Sequence, residues 1–385
     1  MRRFLFEYGK DFTYILIAIA VLAIALYLRK KARNKDRVAP YREPLVAEDF
    51  YKTCHLTVAG ERPVIVWIVR HYLPDFQTGA VCMTRDINRY FTKTLGWEVA
   101  IIVPYSTATS YEDIPIYQFG QQAQIESVLR RAHCVMTQYQ VIETATITAA
   151  RAKKPLVLVS HDDSLGPWIT KAKDIHDKVY LINNSEWLDT LYRGNNIPSM
   201  ILYPPVFVKD YVTHTSRTYV TMVNMNENKG ANTFYRVAAL LPDVPFLAVK
   251  GSYGEQIMPP AGLNNVTVWS SKLDMRHVYA VTGILCVPSK AESWGRVAIE
   301  AACSGIPVVA HPATGLKEAL GPAGIFADRE DPLAWATEIR RLQESALEYE
   351  TRSRAVTRRA HELNPTKQLE ELRSFLLAIP DPSPV

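Results

Sequence analysis

The sequence predicts an α/β protein in which two doubly wound domains face a cleft and one transmembrane helix precedes them. Three observations lead to this prediction. Short β-branched runs alternate with amphipathic stretches from Pro63 onward, the pair Pro204-Pro205 divides them into two series, and an uncharged apolar run lies near the N-terminus. Strand and helix in this rhythm indicate parallel sheets with helices on both faces. Ligands of such sheets bind beyond the carboxyl ends of the strands, so we expect the site in the cleft between the domains.

The N-terminal run predicts a membrane anchor. Residues 12–28 are 17 uncharged residues, which as a helix reach about 26 Å, near the thickness of a hydrocarbon core of about 30 Å. A cleaved signal peptide is the alternative, but the run is longer than a usual signal-peptide core and lacks a small-residue cleavage site. Three Lys or Arg precede the run and six follow it. We therefore expect a single-pass membrane protein whose catalytic part lies on the cytoplasmic side.

The charge distribution argues against a nucleic-acid partner. The chain of 385 residues carries a net charge of +5, but residues 1–37 hold nine Lys or Arg against three acids. The basic balance therefore belongs to the flanks of the anchor, and the rest of the chain is nearly neutral. An apolar content of 48% and a charged content of 22% exclude disorder as the main state. Five widely spaced cysteines show neither a disulfide framework nor zinc-ligand spacing, so we expect reduced core thiols.

The chain is predicted to have five parts. They are the anchor with its basic flank (1–37), a linker (38–62), a first domain (63–205), a second domain (206–365), and a C-terminal helix and tail (366–385). The predicted strands of the first domain are 64–69, 99–103, 134–138, 156–160, 179–183 and 200–203, and those of the second are 219–223, 246–250, 266–269, 283–287, 308–310 and 324–327. The predicted helices are 82–95, 125–132, 141–152, 186–193, 231–241, 275–282, 297–304 and 333–344.

Several familiar signatures are absent from the sequence. It contains no G-x-G-x-x-G after the first strand and no G-x-x-x-x-G-K-[ST], so neither a nicotinamide dinucleotide fold nor a P-loop NTPase is supported. No two aspartates stand at i and i+2, so the usual carboxylate pair for a metal on a nucleotide diphosphate is missing.

The segment after residue 287 concentrates the candidate chemistry. A predicted strand ends near Pro288, a polar loop carries Glu292, and a helix is expected to begin near Gly295. Backbone N–H groups of Ser293, Trp294 and Gly295 at such a helix start suit an anion. Glu292 and Glu300 would then flank one ligand as acceptors for sugar hydroxyl groups. The alternatives are that Glu292 completes a capping box with Ser289 and that Glu300 is an ordinary surface residue.

Residues 288–310, PSKAESWGRVAIEAACSGIPVVA, resemble the Glu-x7-Glu motif region of retaining glycosyltransferases of family 4, whose fold is GT-B, two Rossmann-like domains facing a cleft. The likeness extends from about Val64 to Arg341. Residues 224–230, NMNENKG, resemble the family's basic loop that ends in Lys-Gly, and Ser185-Glu186-Trp187-Leu188 resembles a helix start near the end of its first domain.

The resemblance implies roles for individual residues. Glu292 would hold the sugar ring of a nucleotide-sugar donor, Glu300 would bind the ribose hydroxyls, and Lys229 would neutralise the diphosphate beside the backbone of residues 293–295. His161 matches the family histidine that faces the transferred sugar; the alternative is a structural histidine at a strand end. Glu292, His161 and Lys229 are thus the predicted catalytic residues.

Two positions depart from the family pattern. Only Thr78-Gly79 stands where the family has a Gly-Gly pair that touches phosphate, and Asn224 stands where many members have an arginine that pairs with the diphosphate. Lys229 is then the main cation, unless Arg70 or Arg296 substitutes.

The function implied by the resemblance is a membrane-anchored, retaining transfer of a hexose-type sugar. The sugar would pass from a nucleotide-sugar donor to a hydroxyl of a glycan or lipid-linked acceptor, with no cofactor and no metal. Two alternatives remain open at this point. One is a degenerate scaffold or nucleotide-sugar binding protein without transfer activity, and the other is an inverting GT-B enzyme or nucleotide-sugar epimerase.

Overall fold

An eight-stranded sheet organises the first part of the chain in the computed structural model, which describes residues 63–380. Its strands are β1 Val64–Ile68, β2 Glu98–Val103, β3 Ser110–Tyr111, β4 Ile114–Gln118, β5 Ala132–Thr137, β6 Leu156–Ser160, β7 Val179–Asn183 and β8 Ser199–Ile201. They lie in the order β3-β4-β2-β1-β5-β6-β7-β8, and all neighbours are parallel except β3 and β4. Central β1 reads Val-Ile-Val-Trp-Ile and is buried throughout, as a parallel strand covered on both faces requires.

Five helices follow strands of this sheet. They are α1 Gly79–Arg89, α2 Gln122–Arg131, α3 Ile142–Arg151, α4 Gly166–Ile175 and α5 Glu186–Tyr192. A π-helical turn, Tyr90–Thr94, continues α1. Residues 81–88 of α1 are all buried, so this helix is covered on every side rather than on one face. It lies between the first sheet and the second part of the chain, where Arg85 contacts Tyr211 and Asp86 contacts Arg296.

A six-stranded parallel sheet organises the second part of the chain. After α6 Val208–Tyr211 come the strands β9 Tyr219–Val223, β10 Phe246–Val249, β11 Val266–Trp269, β12 Thr282–Val287, β13 Val308–Ala310 and β14 Ile325–Phe326, in the order β11-β10-β9-β12-β13-β14. The helices around it are α7 Ala231–Leu240, α8 Arg276–Tyr279, α9 Arg296–Ala302, α10 Thr314–Leu320, α11 Pro332–Glu344 and α12 Ala346–Glu362. We call this sheet with its helices the C-terminal half, and the first sheet with its helices the N-terminal half.

The last helix, α13 Thr366–Leu377, returns to the N-terminal half. Its Leu369, Leu372 and Leu376 join the buried cluster that contains Ile65 and Trp67 of β1. Tyr90 adds a polar link, because its hydroxyl donates to Glu370 at 2.6 Å. The N-terminal half is therefore built from both ends of the described chain. All of the described residues belong to one compact unit, in which the two halves contact each other.

The predicted α/β class with parallel sheets is confirmed. The predicted membrane anchor and linker fall outside the described residues. Within residues 63–380, no helix combines the length and the apolar character needed to cross a membrane. The cysteines of this range, Cys82, Cys134, Cys286 and Cys303, are buried and free.

Several element predictions were wrong in detail. The pair β3 and β4 was not predicted, because β3 has only two residues and Pro115 interrupts the short β4. The helix predicted over 275–282 spans only Arg276–Tyr279, since Thr282 already begins β12. Ala132, predicted as a helix end, begins β5. Helices α4, α10 and α12 were not assigned from the sequence.

Candidate active site

A cavity of about 660 Å³ lies between the two halves, at the carboxyl ends of both sheets. Its walls include residues that follow β1, β6, β9 and β12, the strands whose ends meet at the cleft. The structure brings together here all nine residues singled out from the sequence: Gly79, His161, Asn224, Lys229, Glu292, Ser293, Trp294, Gly295 and Glu300. The alternative cations Arg70 and Arg296 line the same cavity.

Lys229 and Glu292 form an ion pair across two loops of the C-terminal half. Burial on its own would lower the pKa of Lys229, but the Glu292 carboxylate and Tyr253 together raise it above its ordinary value. The ammonium is therefore charged at neutral pH. Glu292 does not form a capping box in this structure; its carboxylate accepts from Lys229 instead.

The amide of Asn224 is oriented by a chain of hydrogen bonds that ends on two backbone N–H groups. Gly251 N donates to Gln256 Oε1 at 2.7 Å, which leaves Gln256 Nε2 as the donor to Asn224 Oδ1 at 2.9 Å. Lys229 N likewise donates to Asn226 Oδ1 at 2.9 Å, so Asn226 Nδ2 donates to the same Asn224 oxygen at 3.1 Å. Because a backbone N–H can only donate, both chains assign Oδ1 of Asn224 as the acceptor.

The remaining end of Asn224 is a donor without a partner. Its Nδ2 is buried and makes no hydrogen bond among the described residues. The residue sits in the left-handed region at φ 66°, which asparagine tolerates better than most side chains. A buried unpaired N–H group costs free energy until an acceptor reaches it. Asn224 lines the cavity and carries this unpaired neutral donor beneath its surface.

Glu300 is buried, so the alternative that it is an ordinary surface residue is wrong. Its Oε2 accepts from the hydroxyl of Tyr279 at 2.8 Å and its Oε1 accepts from Arg296 Nε at 2.7 Å. Burial and the neighbouring Glu300 charge raise the pKa of Tyr279 well above its usual range, so this hydroxyl stays a donor. A carboxylate has about four acceptor positions, and two of them remain for a ligand.

The loop 293–295 contacts the N-terminal half. Asn184 Nδ2 donates to Ser293 Oγ at 3.0 Å, and Trp187 Nε1 donates to the Ser293 carbonyl at 2.7 Å. The Trp294 ring is buried and stacks on Tyr203 with centroids 5.6 Å apart. Gly295 has φ 98°, and a Cβ there would lie 2.5 Å from Leu316 Cδ2, so both backbone and packing require glycine.

His161 lies at the end of β6 with its ring stacked on Tyr139 at 5.0 Å. Its Nε2 lies 2.5 Å from Gln138 Oε1, which can only accept, so this nitrogen carries the proton. Burial lowers the pKa of His161 to about 4, and the nearby Asp162 opposes this only weakly. The imidazole is therefore neutral at physiological pH.

Gly79 begins α1, and the preceding Thr78 caps this helix by accepting from Val81 N at 3.4 Å. A Cβ added to Gly79 would have no atom within 4 Å, so the position itself does not require glycine. Of the two substitute cations, Arg296 makes four hydrogen bonds to protein partners, with every one of its three nitrogens engaged. Arg70 contacts His71, with its Nε 3.2 Å from the imidazole Nε2.

Sequence reasoning missed the residues that join the halves around the cavity. Asp86 accepts from Arg296 at 2.6 Å, and Glu318 accepts from the backbone N of Glu186 at 2.6 Å at the start of α5. One signal could have found Asp86, since it is an acid within the apolar stretch of α1 and such a position needs a buried partner. No local sequence pattern indicates that Glu318 contacts the other half.

Among residues 63–380, no group of three or more His, Cys, Asp or Glu side chains is arranged to hold a metal ion.

Comparison with known proteins agrees with this architecture. Residues 216–345 match the family model described as Glycosyl transferases group 1. The matched segment holds Lys229, Glu292 and Glu300. A D-inositol 3-phosphate glycosyltransferase of Mycolicibacterium gilvum is 35% identical over 125 residues, which cover 29% of this chain and 28% of that protein. One from Corynebacterium kroppenstedtii is 45% identical over 71 residues, covering 18% and 16%. The chain therefore matches less than a third of the length of these curated relatives.

Solved structures share the fold over most of the described chain. The Anabaena protein Alr3699/HepE in complex with UDP-glucose superposes with a TM-score of 0.69 at 18% identity, covering 81% of this chain and 99% of that one. The sucrose-phosphate synthase of Thermosynechococcus elongatus gives a TM-score of 0.67 at 16% identity, covering 82% and 98%. The fold is thus of the GT-B type, with parallel sheets in both halves.

Proposed function

We propose that this protein is a glycosyltransferase that moves a hexose-type sugar from a nucleotide-sugar donor to an acceptor hydroxyl, with retention of configuration. The observation that carries the proposal is the convergence of Lys229, Asn224, Glu292 and Glu300 in one cavity at the carboxyl ends of two parallel sheets. The group 1 match over residues 216–345 and the activity in the relatives' names support it.

The donor occupies the wall formed by the C-terminal half. Glu300 accepts from the ribose hydroxyls with its two remaining acceptor positions, and Lys229 faces the diphosphate. Asn224 takes the place of an arginine by donating its free Nδ2 to a phosphate oxygen as a neutral group. Glu292, released from Lys229 as the phosphate arrives, accepts from hydroxyls of the sugar ring.

Transfer then requires charge stabilisation rather than an enzymatic nucleophile. The bond between C1 of the sugar and the phosphate oxygen breaks through an oxocarbenium-like state. Lys229 and Asn224 stabilise the departing diphosphate without a metal. The acceptor hydroxyl bonds to C1 on the face that the phosphate leaves, and a leaving phosphate oxygen takes its proton. His161 is neutral and donates to Gln138. It contacts the sugar but does not act as a general acid.

The acceptor and the cellular setting complete the proposal. A single N-terminal anchor at residues 12–28 would hold the enzyme at the cytoplasmic face of a membrane, where a glycan or lipid-linked acceptor is within reach. The support is the apolar run with its unequal basic flanks.

A donor screen tests the function. The full chain, in detergent micelles, is incubated with UDP- and GDP-hexoses, and release of the nucleoside diphosphate is measured with and without glycan and lipid acceptors. We expect release from one donor that an acceptor stimulates, and a product whose anomeric configuration by NMR matches the donor. Absence of release from every donor, together with no binding of UDP or GDP by calorimetry, would contradict the proposal; binding without release would instead indicate a scaffold.

A matched pair of variants locates the activity. Lys229→Met removes the cation at the diphosphate, and we expect kcat/KM to fall at least about 100-fold, the usual loss for one preorganised charge-stabilising donor. Lys367→Met makes the same change at an exposed lysine of α13 and should leave kcat/KM unchanged. Equal activity of both variants would place the chemistry elsewhere.

A further inference from the structure

Four charged side chains form a buried cluster where the two halves meet. Arg85 and Asp86 belong to α1 of the N-terminal half, and Arg296 and Glu300 belong to α9 of the C-terminal half. The side chains of Asp86, Arg296 and Glu300 are only 2%, 7% and 8% exposed. The cluster holds two cations and two anions, so its net charge is zero.

Arg296 is the centre of this cluster. Its Nη2 lies 2.6 Å from Asp86 Oδ2, its Nε lies 2.7 Å from Glu300 Oε1, and its Nη1 donates to the Pro205 carbonyl at 2.8 Å. The same Nη2 also lies 2.7 Å from the hydroxyl oxygen of Tyr211. The guanidinium thus links α1, α6, Glu300 and the segment at Pro205 that connects the two halves.

Asp86 is held from its own side as well. Arg85 Nε donates to Asp86 Oδ1 at 2.7 Å, and Arg85 Nη2 donates to the Tyr211 hydroxyl at 3.1 Å. Both carboxylate oxygens of Asp86 are therefore paired with guanidinium groups: Oδ1 with Arg85 and, at 3.6 Å, with the partly exposed Arg89 of the same helix, and Oδ2 with Arg296 of the other half. A carboxylate held at both oxygens has one orientation, and it fixes Arg296 in turn.

Buried ion pairs are weak evidence of stability, because the cost of desolvating the charges offsets most of their attraction. Apolar side chains of similar volume often stabilise a protein equally well. Their directional bonds instead define one relative position of the groups they join. The groups joined here are α1, which begins at Gly79 on the cavity wall, and Glu300, which faces the same cavity.

We propose that Asp86 and Arg296 are positioning residues: their pair fixes the orientation of the two halves relative to each other and holds the Glu300 carboxylate in place for its ligand. The Glu300 part of this inference rests on the proposed function, in which that ligand is the ribose of the donor. The pair touches neither sugar nor phosphate and acts only through α1 and Glu300.

Three variants separate positioning from charge balance. Asp86→Asn and Arg296→Met each leave one unbalanced buried charge, whereas the double variant leaves Arg85 and Glu300 with a net charge of zero. We expect the melting temperature to fall in both single variants and to recover in the double variant. We expect kcat/KM for the donor to fall at least tenfold in all three, mainly through KM, because each variant loses the Asp86–Arg296 contact that fixes the orientation of the halves.

A distance measurement tests the orientation without any substrate. Spin labels on Thr170→Cys in α4 and Asn264→Cys before β11, in a full-length Cys54→Ser background, report the separation of the halves by pulsed electron resonance. We expect a narrow distribution with Asp86 and Arg296 present and a broader, longer one in the double variant. The exposed pair Asp243 and Arg340 lies within the C-terminal half, so Asp243→Asn with Arg340→Met is the matched control and should change neither readout.

The outcomes are distinguishable. Recovery of both kcat/KM and the narrow distribution in the double variant would overturn the inference, because the pair would then serve charge balance only. If the protein with Asp86 and Arg296 intact processes no nucleotide sugar, the proposed function fails, and the distance arm still decides whether the pair holds the halves together. An unchanged distribution in the double variant would overturn that role whatever the activity.

Discussion

Lys229 and Glu292 neutralise each other at the cavity wall, and this pairing bears on the proposed function. An anion that approached Lys229 would meet the Glu292 carboxylate as well, so a free phosphate gains little there. A ligand that carries both a phosphate and hydroxyl groups can satisfy the two side chains at once. Under the proposed function, we therefore expect a sugar diphosphate to bind more tightly than phosphate or sugar alone.

His161 predicts a dependence of stability on pH. Its pKa is lowered by burial to about 4 in the folded protein, against about 6.5 in the unfolded chain. Between these values the unfolded chain binds the proton and the folded protein does not, so stability falls as the pH is lowered from 7 toward 4. From pH 7 to pH 5 this histidine should contribute a loss of about 2 kcal/mol in the free energy of unfolding.

The measurement is urea unfolding at pH 7 and pH 5. In His161→Asn the loss between the two pH values should be smaller than in the unmodified protein by about that amount. His214→Asn, which changes an exposed histidine, should retain the full loss. A His161→Asn protein with an unchanged pH dependence would show that this imidazole titrates normally.

At the scale of elements, two loops of the C-terminal half pack directly on each other beneath the cavity. A Cβ on Gly230 would lie 2.3 Å from the Pro288 carbonyl oxygen, and Lys290 N donates to the Asn228 carbonyl at 2.8 Å. The β9–α7 loop with Lys229 and the β12–α9 loop with Glu292 are thereby held in register. The positive φ of 84° at Gly230 adds a backbone reason for glycine.

Replacing Gly230 should separate these loops. For Gly230→Ala we expect a loss of about 3 kcal/mol in the free energy of unfolding and a donor KM raised at least tenfold, because the methyl group displaces the Lys229 loop from Pro288. Gly262→Ala is the matched control: its φ is 87°, but nothing lies within 4 Å of the added Cβ, so only the backbone cost of about 1 kcal/mol applies. Equal effects of the two substitutions would remove the role of the Pro288 contact.

Sequence reasoning found those elements whose pattern is local. Strands such as β6 and β9 were predicted to the residue, because a buried parallel strand is a continuous apolar run bounded by turns. The motif around Glu292 was found because its residues are close in the sequence. The missed strand β3 has only two residues, and β4 places just two buried isoleucines, Ile114 and Ile116, on either side of Pro115, a pattern too short to indicate a strand.

Contacts between distant elements could not be predicted from the sequence. The commitment of Arg296 to Asp86 depends on residues 210 positions apart, and nothing near Arg296 in the sequence indicates it. Asn224 was noted as a departure from an arginine, but the free Nδ2 follows only from the hydrogen-bond chains through Gln256 and Asn226. These features arise when the two halves and their loops are assembled, and local patterning does not encode them.

At the scale of the whole molecule, α13 makes the N-terminal half discontinuous in sequence. Leu372 is fully buried in the cluster with β1, although more than 300 residues separate them. His133 of β5 also lies 2.8 Å from the Leu376 carbonyl. Stability of the first sheet therefore depends on α13.

Shortening one leucine of α13 tests this dependence. Leu372→Ala should lower the free energy of unfolding by about 2–5 kcal/mol, the usual cost of a cavity in a packed core. Leu377→Ala, on the exposed side of the same helix, should change it by less than about 0.5 kcal/mol. Proteolysis of the Leu372→Ala protein should begin in the N-terminal half, and cleavage confined to residues 206–365 would contradict the placement of α13.

The return of α13 also bears on how the protein is made. The strands of the first sheet end at Ile201, but its core includes Ile379. At a translation rate of about 5–20 residues per second, the ribosome needs roughly 10 to 35 s to synthesise the intervening chain. During that interval the nascent first sheet lacks α13 and leaves uncovered the apolar surface that Leu369, Leu372 and Leu376 bury in the folded protein.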